Sequence, residues 1–172
     1  MSGVLQPHLG SEDLIRAASS YAVSLHDRHH DQLGFLPRDT FELAARRGRL
    51  LIATENGEAC GMLLVGQRNH VLRIHQTCVE EDLRRLKHAT EMVAAALSLP
   101  GLNQVRQIKL RVADDLPANQ FWRAIGCRVT HQTRGSIRRG RLINHYYLDV
   151  RDRMQLALRL VQAVINTGKY SD

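Results

Sequence analysis

The 172-residue chain has few cysteines, no long apolar run and no recognisable export segment. Its three cysteines, Cys60, Cys78 and Cys127, are odd in number and far apart, which excludes a disulfide framework and favours a reducing compartment. The longest apolar stretch, residues 92–99, is far shorter than the ~20 residues needed to cross a bilayer. We therefore expect a soluble, cytoplasmic protein without membrane association.

The chain also lacks internal repeats, low-complexity segments and anything long enough to be an interdomain linker. It has 44% hydrophobic and 24% charged residues, the composition of an ordinary globular domain, which excludes a disordered, fibrous or disulfide-stapled chain. Length and composition together predict one domain over residues 1–172, with a core at about 12–150 and an extra C-terminal helix at about 151–167.

Acidic residues are fewer than basic ones: 17 Asp and Glu against 24 Lys and Arg give a formal charge of +7 and a pI near 9.9. A basic surface raises the local concentration of anionic molecules and speeds their association. The charge therefore indicates nucleic acid, a nucleotide-bearing cofactor or an acidic acceptor as partner.

Periodicity and turn residues predict an order of elements. Ser11 is a helix N-cap, and Asn56-Gly57 between two apolar runs is a strong hairpin signal. Asp115 is predicted to cap a late helix. The last helix carries an apolar stripe that predicts either a lid on the core or a homodimer contact. The predicted helices lie at about 12–26, 37–47, 83–99, 115–125 and 151–167, the strands at about 50–54, 59–66, 70–79, 107–113, 127–133 and 142–150, and the stripe comprises Met154, Leu158, Val161 and Ile165.

This order predicts an α/β (α+β) domain with a mixed, mostly antiparallel sheet flanked by helices, because three antiparallel strands feed a strand-helix-strand crossover. Two segments add detail. In VEEDLRRLKHA, residues 79–89, Arg84 and Ala89 match an Arg-x-x-Gly-x-Gly/Ala loop in which Lys87 replaces the first glycine. In DLPANQFWRAIGC, residues 115–127, Ala118 and Gly126 match an Asn-x-x-Ala helix that leads to Gly-Phe.

Together these features resemble the GNAT superfamily of N-acetyltransferases over about residues 12–150, as a divergent member. A helix N-terminus with free N–H groups favours an anion such as pyrophosphate, and the arginines and lysine there reinforce it. The resemblance implies that the bound molecule is acetyl-CoA or another acyl-CoA. The cofactor-binding residues that it implies are Cys78, Val79, Arg84, Arg85, Leu86, Lys87, His88, Ala89, Asp115 and Trp122.

The resemblance further implies that backbone N–H groups near Cys78 and Val79 meet the thioester carbonyl. Arg73 stands where several branches have a catalytic Glu. Strand alternation would place Arg73, His75 and Thr77 on one face, which makes His75 the nearest proton acceptor.

Trp122 replaces the Tyr that serves many relatives as the acid, and an indole N–H is not a practical acid. We expect Trp122 to pack against the cofactor arm or in the core. Tyr146 is a candidate catalytic substitute for the missing Tyr, with core packing as the alternative.

Two segments are candidate acceptor-binding sites. The stretch with His26, His29 and His30 contains side chains of the kind that bind metal ions. Recognition of the acceptor is the better explanation of this stretch, and we predict no metal site. The hairpin RGSIRRGR, residues 134–141, is either a solvated turn or a cationic flap over the acceptor groove. The candidate acceptor-binding residues are His29, His30, Arg73, Arg134 and Arg138.

The sequence thus predicts a direct transfer of an acyl group from acyl-CoA to an amine. Anionic molecules, including nucleic acids, are the candidate acceptors. The alternative is a catalytically degenerate GNAT domain that binds nucleic acid or a protein partner. An enzyme that modifies a base in DNA or RNA would combine both.

Overall fold

A computed structural model describes residues 1–84, 87–101, 104–136 and 140–167. Seven strands form one sheet, in which all neighbours run antiparallel except the fourth and fifth strands. The strands are β1 (Ser2–Leu5), β2 (Leu50–Glu55), β3 (Glu58–Arg68), β4 (Val71–Val79), β5 (Gln107–Ala113), β6 (Arg128–Arg134) and β7 (Leu142–Asp149). Their order across the sheet is β1-β2-β3-β4-β5-β7-β6.

Helices cover both faces of this sheet, as predicted. On one face the first and third helices pack on β2, β3 and the end of β4, around Phe41, Met62 and Leu64. On the other face the last three helices pack on β3, β4, β5 and β7, around Leu63, Met92 and Ile108. The helices are α1 (Glu12–Arg28), α2 (His30–Leu33), α3 (Arg38–Arg46), α4 (His88–Leu97), α5 (Ala118–Ala124) and α6 (Arg153–Thr167).

Local signals explain where several elements begin and turn. The Ser11 hydroxyl accepts a hydrogen bond from the Leu14 N–H at 3.3 Å, which confirms the predicted N-cap of α1. Asn56 and Gly57 have φ angles of 52° and 86°, the left-handed pair that a two-residue hairpin requires. The β2–β3 hairpin is therefore confirmed. No helix among the described residues is long and apolar enough to span a bilayer.

The structure differs from the predicted elements in one helix start, one helix cap and one additional strand. Helix α4 begins at His88 rather than at residue 83, because a 3-10 turn at Glu81–Leu83 precedes it and Lys87 is its N-cap. Asp115 does not cap α5, whose N-cap is Pro117; the Asp115 carboxylate instead pairs with Arg141 at 3.0 Å. Strand β1 was not predicted, because four half-buried residues at a sheet edge carry too little alternation to be recognised.

A β-bulge at His75 changes the predicted faces of β4. Leu64 pairs with Gln76, but the next residue, Val65, pairs with Ile74, so His75 has no partner on β3. The extra residue reverses which side chains point to which face. Arg73 therefore lies on the α1 side of the sheet, whereas Thr77 lies opposite Leu63 on the α4 side. The prediction that Arg73, His75 and Thr77 share one face is wrong for Thr77.

The predicted stripe of α6 is the side that faces away from the core. Met154, Leu158, Val161 and Ile165 are exposed, between 50% and 74%. The buried residues of this helix are Leu156 and Leu160, which pack in the cluster on the α4 side. The helix thus covers the core, as predicted, but with the stripe of Leu156 and Leu160. The homodimer contact stays a prediction.

Candidate active site

A cleft opens where β4 and β5 stop pairing. Their parallel ladder spans three residue pairs, from Val71 with Gln107 to Arg73 with Lys109. Among the residues that the structure describes, no strand pairs with the β5-facing edge of β4 from Ile74 onward. The 3-10 turn after β4, the start of α4 and the β5–α5 turn all lie at this carboxyl end, where open α/β sheets bind their ligands.

The start of α4 is an open anion site. Its N-cap, Lys87, makes no side-chain cap hydrogen bond. The first N–H groups of an α-helix have no partner within the helix, and the helix dipole adds a favourable potential for negative charge. The Lys87 ammonium lies 3.4 Å from Glu91 Oε1, along the helix. The Lys87 ammonium only donates hydrogen bonds, so it cannot satisfy the backbone donors at the helix start, which need an acceptor from a ligand or solvent.

Arg84 connects the turn to the end of β4. Its Nε donates to the Val79 carbonyl at 3.0 Å. Its Nη1 lies 3.6 Å from Glu81 Oε1, and its Nη2 lies 3.5 Å from His29 Nδ1. The guanidinium thus stands at the mouth of the cleft beside a predicted acceptor residue. Arg85 and Leu86, which the sequence also assigns to the cofactor site, lie outside the described residues.

The wall of the cleft on β4 carries an unused hydroxyl. Thr77 Oγ1 is buried and has no hydrogen-bond partner among the residues that the structure describes. A buried hydroxyl without a partner costs about 1–3 kcal/mol, so a ligand that bonds it would recover that cost. Cys78 is buried beside it, and burial raises the pKa of its thiol, which makes it a weak nucleophile.

His75 stands at the bulge with its ring over Gly66. A Cβ on Gly66 would lie 2.6 Å from His75 Nε2, so only glycine leaves room for the ring. Partial burial lowers the pKa of His75, and the nearby Arg73 and Arg111 lower it further. The imidazole is therefore neutral near pH 7 and has a lone pair with which to accept a proton.

Other predicted cofactor residues face the core. The His88 side chain is fully buried, with its nearest carboxylate oxygens on Glu55 at 3.5 Å and on Glu91 at 3.9 Å. Only the backbone of His88 can therefore serve a ligand at the helix start. Trp122 is 2% exposed and stacks edge-on against Phe121, so of the two predicted positions it takes the one in the core.

Asn119 is the centre of a buried hydrogen-bond network that holds the β5–α5 turn. The sequence does not predict this network. Its Nδ2 donates to the carbonyls of Ala113 and Leu116 at 2.8 and 2.7 Å. Its Oδ1 accepts hydrogen bonds from Tyr146 at 2.7 Å and from Asn144 at 3.0 Å. Tyr146 is 2% exposed and donates its hydroxyl proton inward, which favours a structural role over the predicted catalytic one.

The histidine stretch does not converge on one point. His26 is buried and hydrogen-bonded to Gln76 at 3.1 Å, whereas His29 contacts Arg84 and His30 is exposed beside the Asp27 carbonyl. Within the described ranges, no three His, Cys, Asp or Glu side chains are placed to share a metal ion.

The β6–β7 hairpin is connected to the histidine stretch by Arg141, the last arginine of the predicted cationic hairpin. Arg141 donates to the Asp31 carbonyl at 2.8 Å and pairs with Asp115 at 3.0 Å. It thereby joins α2, the hairpin and the β5–α5 turn at the end of the cleft. Arg134 is exposed at the end of β6, and Arg138 lies outside the described residues.

Three histidines predict a pH dependence of stability. Burial is the first cause that lowers the pKa values of His29, His75 and His145, so the folded chain binds fewer protons than the unfolded chain below pH about 6.5. The free energy of unfolding is therefore expected to decrease as the pH falls below about 6.5 and to be insensitive to these groups above it. Urea unfolding at several pH values checks this, and a variant with His29→Gln and His145→Gln should give a flatter curve. An unchanged curve would contradict the assignment.

Comparison with known proteins agrees with this geometry. The model of the Acetyltransferase (GNAT) family matches residues 12–127, more than half of the chain, and the chain belongs to this family. No curated protein sequence matches it.

Many solved structures share the fold. The Ard1 protein of Thermoplasma volcanium is 15% identical with a TM-score of 0.68, over 86% of this chain and 97% of its own. The yncA protein of Salmonella typhimurium, solved with its cofactor acetyl-CoA, is 11% identical with a TM-score of 0.68, over 88% and 95%. The diaminobutyrate acetyltransferase EctA of Paenibacillus lautus, solved with its substrate and coenzyme A, is 15% identical with a TM-score of 0.65, over 85% and 94%. At these identities the likeness shows the fold alone.

Proposed function

We propose that this protein is an acyl-CoA-dependent N-acyltransferase that transfers an acetyl or related acyl group to an amine. The observation that carries the proposal is the uncapped start of α4 at the mouth of the β4–β5 cleft. Membership of the GNAT family and the structural relatives that contain acetyl-CoA or coenzyme A support it.

The residues at the cleft fit a molecule of this kind. Free N–H groups at residues 87–89 suit a pyrophosphate, and the Arg84 guanidinium, already directed to the Val79 carbonyl, adds positive charge. Thr77 Oγ1 and the unpaired edge of β4 at Cys78 and Val79 offer groups for an amide-bearing arm and a carbonyl. The bound acyl-CoA supplies an activated thioester carbonyl.

The transfer is a direct one. The acceptor nitrogen forms a bond to the thioester carbonyl carbon, the carbon–sulfur bond breaks, and the sulfur leaves as a thiol once it takes a proton. The amine loses one proton, for which neutral His75 is the proposed acceptor. We propose no acyl-enzyme, because the Cys78 thiol is buried with a raised pKa.

The first test is a calorimetric titration of the intact protein with acetyl-CoA and, separately, with desulfo-CoA. We expect both to bind, because the proposed contacts are with the pyrophosphate and not with the sulfur. Failure of both to bind would overturn the proposal and leave the degenerate, non-enzymatic domain as the better account. Binding without thiol release in the presence of any amine would overturn the enzymatic half alone.

Replacing Ala89 with glutamate sharpens this test. Ala89 is partly exposed in the first turn of α4, where a carboxylate interacts well with the helix dipole but repels a phosphate. We expect at least about tenfold weaker acetyl-CoA binding, since a like-charge contact costs several kcal/mol. The melting temperature should not fall, because the dipole interaction adds about 0.3–1 kcal/mol of stability.

The matched control is Ala17→Glu, the same change at an exposed position of α1. It should leave acetyl-CoA affinity within about twofold, because screening weakens charges that are a Debye length or more apart. Equal losses in the two variants would mean that net charge, and not the start of α4, determines binding.

A further inference from the structure

An open cationic face lies beside the proposed active site. Helices α1 and α3 cover β2, β3 and the end of β4 on one side of the sheet. On the same side, farther along, the side chains of Arg73, Lys109, Arg111 and Arg128 are exposed. None of these four groups takes part in the transfer proposed above.

Strand register arranges these residues in two rows. In the first, Arg73 on β4 lies beside Lys109 on β5, which lies beside Tyr147 on β7, which lies beside Arg128 on β6. With about 4.8 Å between neighbouring strands, this row is about 14 Å long.

The second row runs parallel to the first, two residues farther along β5. It consists of Arg111, His145 and His131 in register, with the bulge residue His75 at its β4 end. We call the two rows together the cationic platform, which comprises Arg73, His75, Lys109, Arg111, Arg128, His131, His145 and Tyr147.

The charge of this platform is not neutralised from within. Neither row contains a carboxylate. Among the described residues, the charged neighbours that act on His75 are Arg73 and Arg111, and those that act on His145 are His131 and the same two arginines. Asp149, next in register beyond the first row, is held by Arg151 through bonds of 2.9 and 2.5 Å. Asp149 also contacts Tyr147, but its charge is balanced by Arg151, so the platform residues themselves present positive charge to an anion.

Flat rings lie among the cations. The rings of His131 and His145 stack with centroids 4.1 Å apart and planes 21° from parallel. Thr133 Oγ1 lies 2.8 Å from His145 Nε2 and fixes that ring, and Tyr147 is half-buried in the first row. Exposed ring faces between basic side chains are what single-stranded nucleic acids use, because every base has a stacking face and every linkage a charge.

We propose that the cationic platform binds single-stranded nucleic acid. A protein partner with an acidic surface would match the charge but would leave the stacked rings without a function. A nucleic acid duplex presents paired bases that cannot stack on a flat sheet face. This inference goes beyond the proposed function, because binding to the platform does not require acyl transfer.

The test is fluorescence anisotropy with a fluorescein-labelled single-stranded RNA of about 12 nucleotides, a length within the range that a small domain covers. We expect affinity to fall steeply between about 50 and 200 mM salt, because counterions are released. Absence of binding at low salt would overturn the proposal. Equally strong competition by a duplex of the same length, or by polyglutamate of the same charge, would overturn the assignment to single strands.

Two double variants with the same net charge provide the decisive comparison. Arg73→Gln with Arg111→Gln changes the platform, and Arg16→Gln with Arg47→Gln changes exposed arginines on α1 and after α3. We expect at least about tenfold weaker binding for the first pair, and a salt slope that is smaller by about 1.4 if each arginine contacts one phosphate. The second pair should stay within about twofold. Equal losses would show that net charge alone attracts the RNA and would overturn the proposal.

A further variant addresses the rings. His131→Ala removes one ring of the stacked pair at an exposed edge strand, where the fold does not depend on it. Loss of one stacked base is expected to weaken binding by roughly 5- to 150-fold, with an unchanged salt slope. An unchanged affinity would exclude stacking and contradict the proposal. Every variant should bind acetyl-CoA with unchanged affinity. This titration separates a failure of RNA binding from a failure of the proposed function.

Discussion

Replacing His75 with glutamine is expected to lower kcat/KM about 10²-fold or more, which is the usual contribution of a general base. The wild-type rate should decrease as the pH falls below about 6.5, because protonation removes the lone pair of an imidazole whose pKa burial has lowered. Glutamine has a similar shape but does not titrate. This limb of the pH–rate profile should therefore disappear in the variant, which steady-state kinetics across pH will measure.

A substitution at Gly66, on the neighbouring strand β3, tests the position of the same imidazole. Gly66→Ala would place a methyl group 2.6 Å from His75 Nε2 and displace the ring without altering its chemistry. If His75 is the base, Gly66→Ala should lower kcat/KM in the protein that retains His75. The same change should have little further effect in the His75→Gln variant. A pH–rate profile that keeps its acidic limb in His75→Gln would exclude His75 as the base.

Replacing Asn119 with alanine is expected to lower the free energy of unfolding by about 3–5 kcal/mol, because each buried group left without a partner costs about 1–3 kcal/mol. The change removes the acceptor of the Tyr146 hydroxyl and of the Asn144 amide, whereas the carbonyls of Ala113 and Leu116 lose one hydrogen bond each and keep their backbone donors. Urea unfolding measures the loss.

Two companion variants interpret that result. Gln120→Ala, at the exposed neighbouring position of α5, should change stability by less than about 0.5 kcal/mol, the usual range for a surface substitution. Tyr146→Phe removes one bond of the network and should destabilise the fold while leaving kcat within about threefold, since the hydroxyl points into the core. A large loss of kcat in Tyr146→Phe would restore the catalytic role predicted from the sequence.

Turns and caps made the fold predictable. Ser11, the Asn56-Gly57 pair and the two motif segments each depend on a few adjacent residues, so their signals survive in a single sequence. The start of α4 was placed five residues early because the acidic turn after β4 continues a helix-like composition. Nothing in the side chains of residues 83–87 marks the change from a 3-10 turn to a helix.

The bulge could not be predicted for a different reason. Leu72, Ile74, Gln76 and Cys78 are all buried, so alternation along β4 looks unbroken. The first two are buried under α4 and the last two under α1 and α3, on opposite faces of the sheet. A strand that is covered on both sides conceals a change of face, because burial alone does not tell which layer covers a residue.

Asn119 was missed because its importance lies in partners that are distant in sequence. One asparagine inside a short helix is usually a solvent-exposed residue, and its position next to Ala118 of the second motif carries no signal of burial. Only the return of β7, which brings Asn144 and Tyr146 to it, shows that it is the centre of a network. A pairing across 25 residues leaves no local pattern.

The bulge at His75 divides β4 into two halves that can be redesigned independently. Of the residues before it, Arg73 points to the open basic face, and of the residues after it, Thr77 borders the cleft toward α4. On the proposals above, an engineer who alters nucleic-acid binding would vary Arg73 and its neighbours on β5 and leave Thr77 to Val79 untouched. Deleting His75 would remove only the bulge: Ile74 and Gln76 would pair with Val65 and Leu64 in an unbroken ladder, so Thr77 and Cys78 would keep their faces while the imidazole is lost.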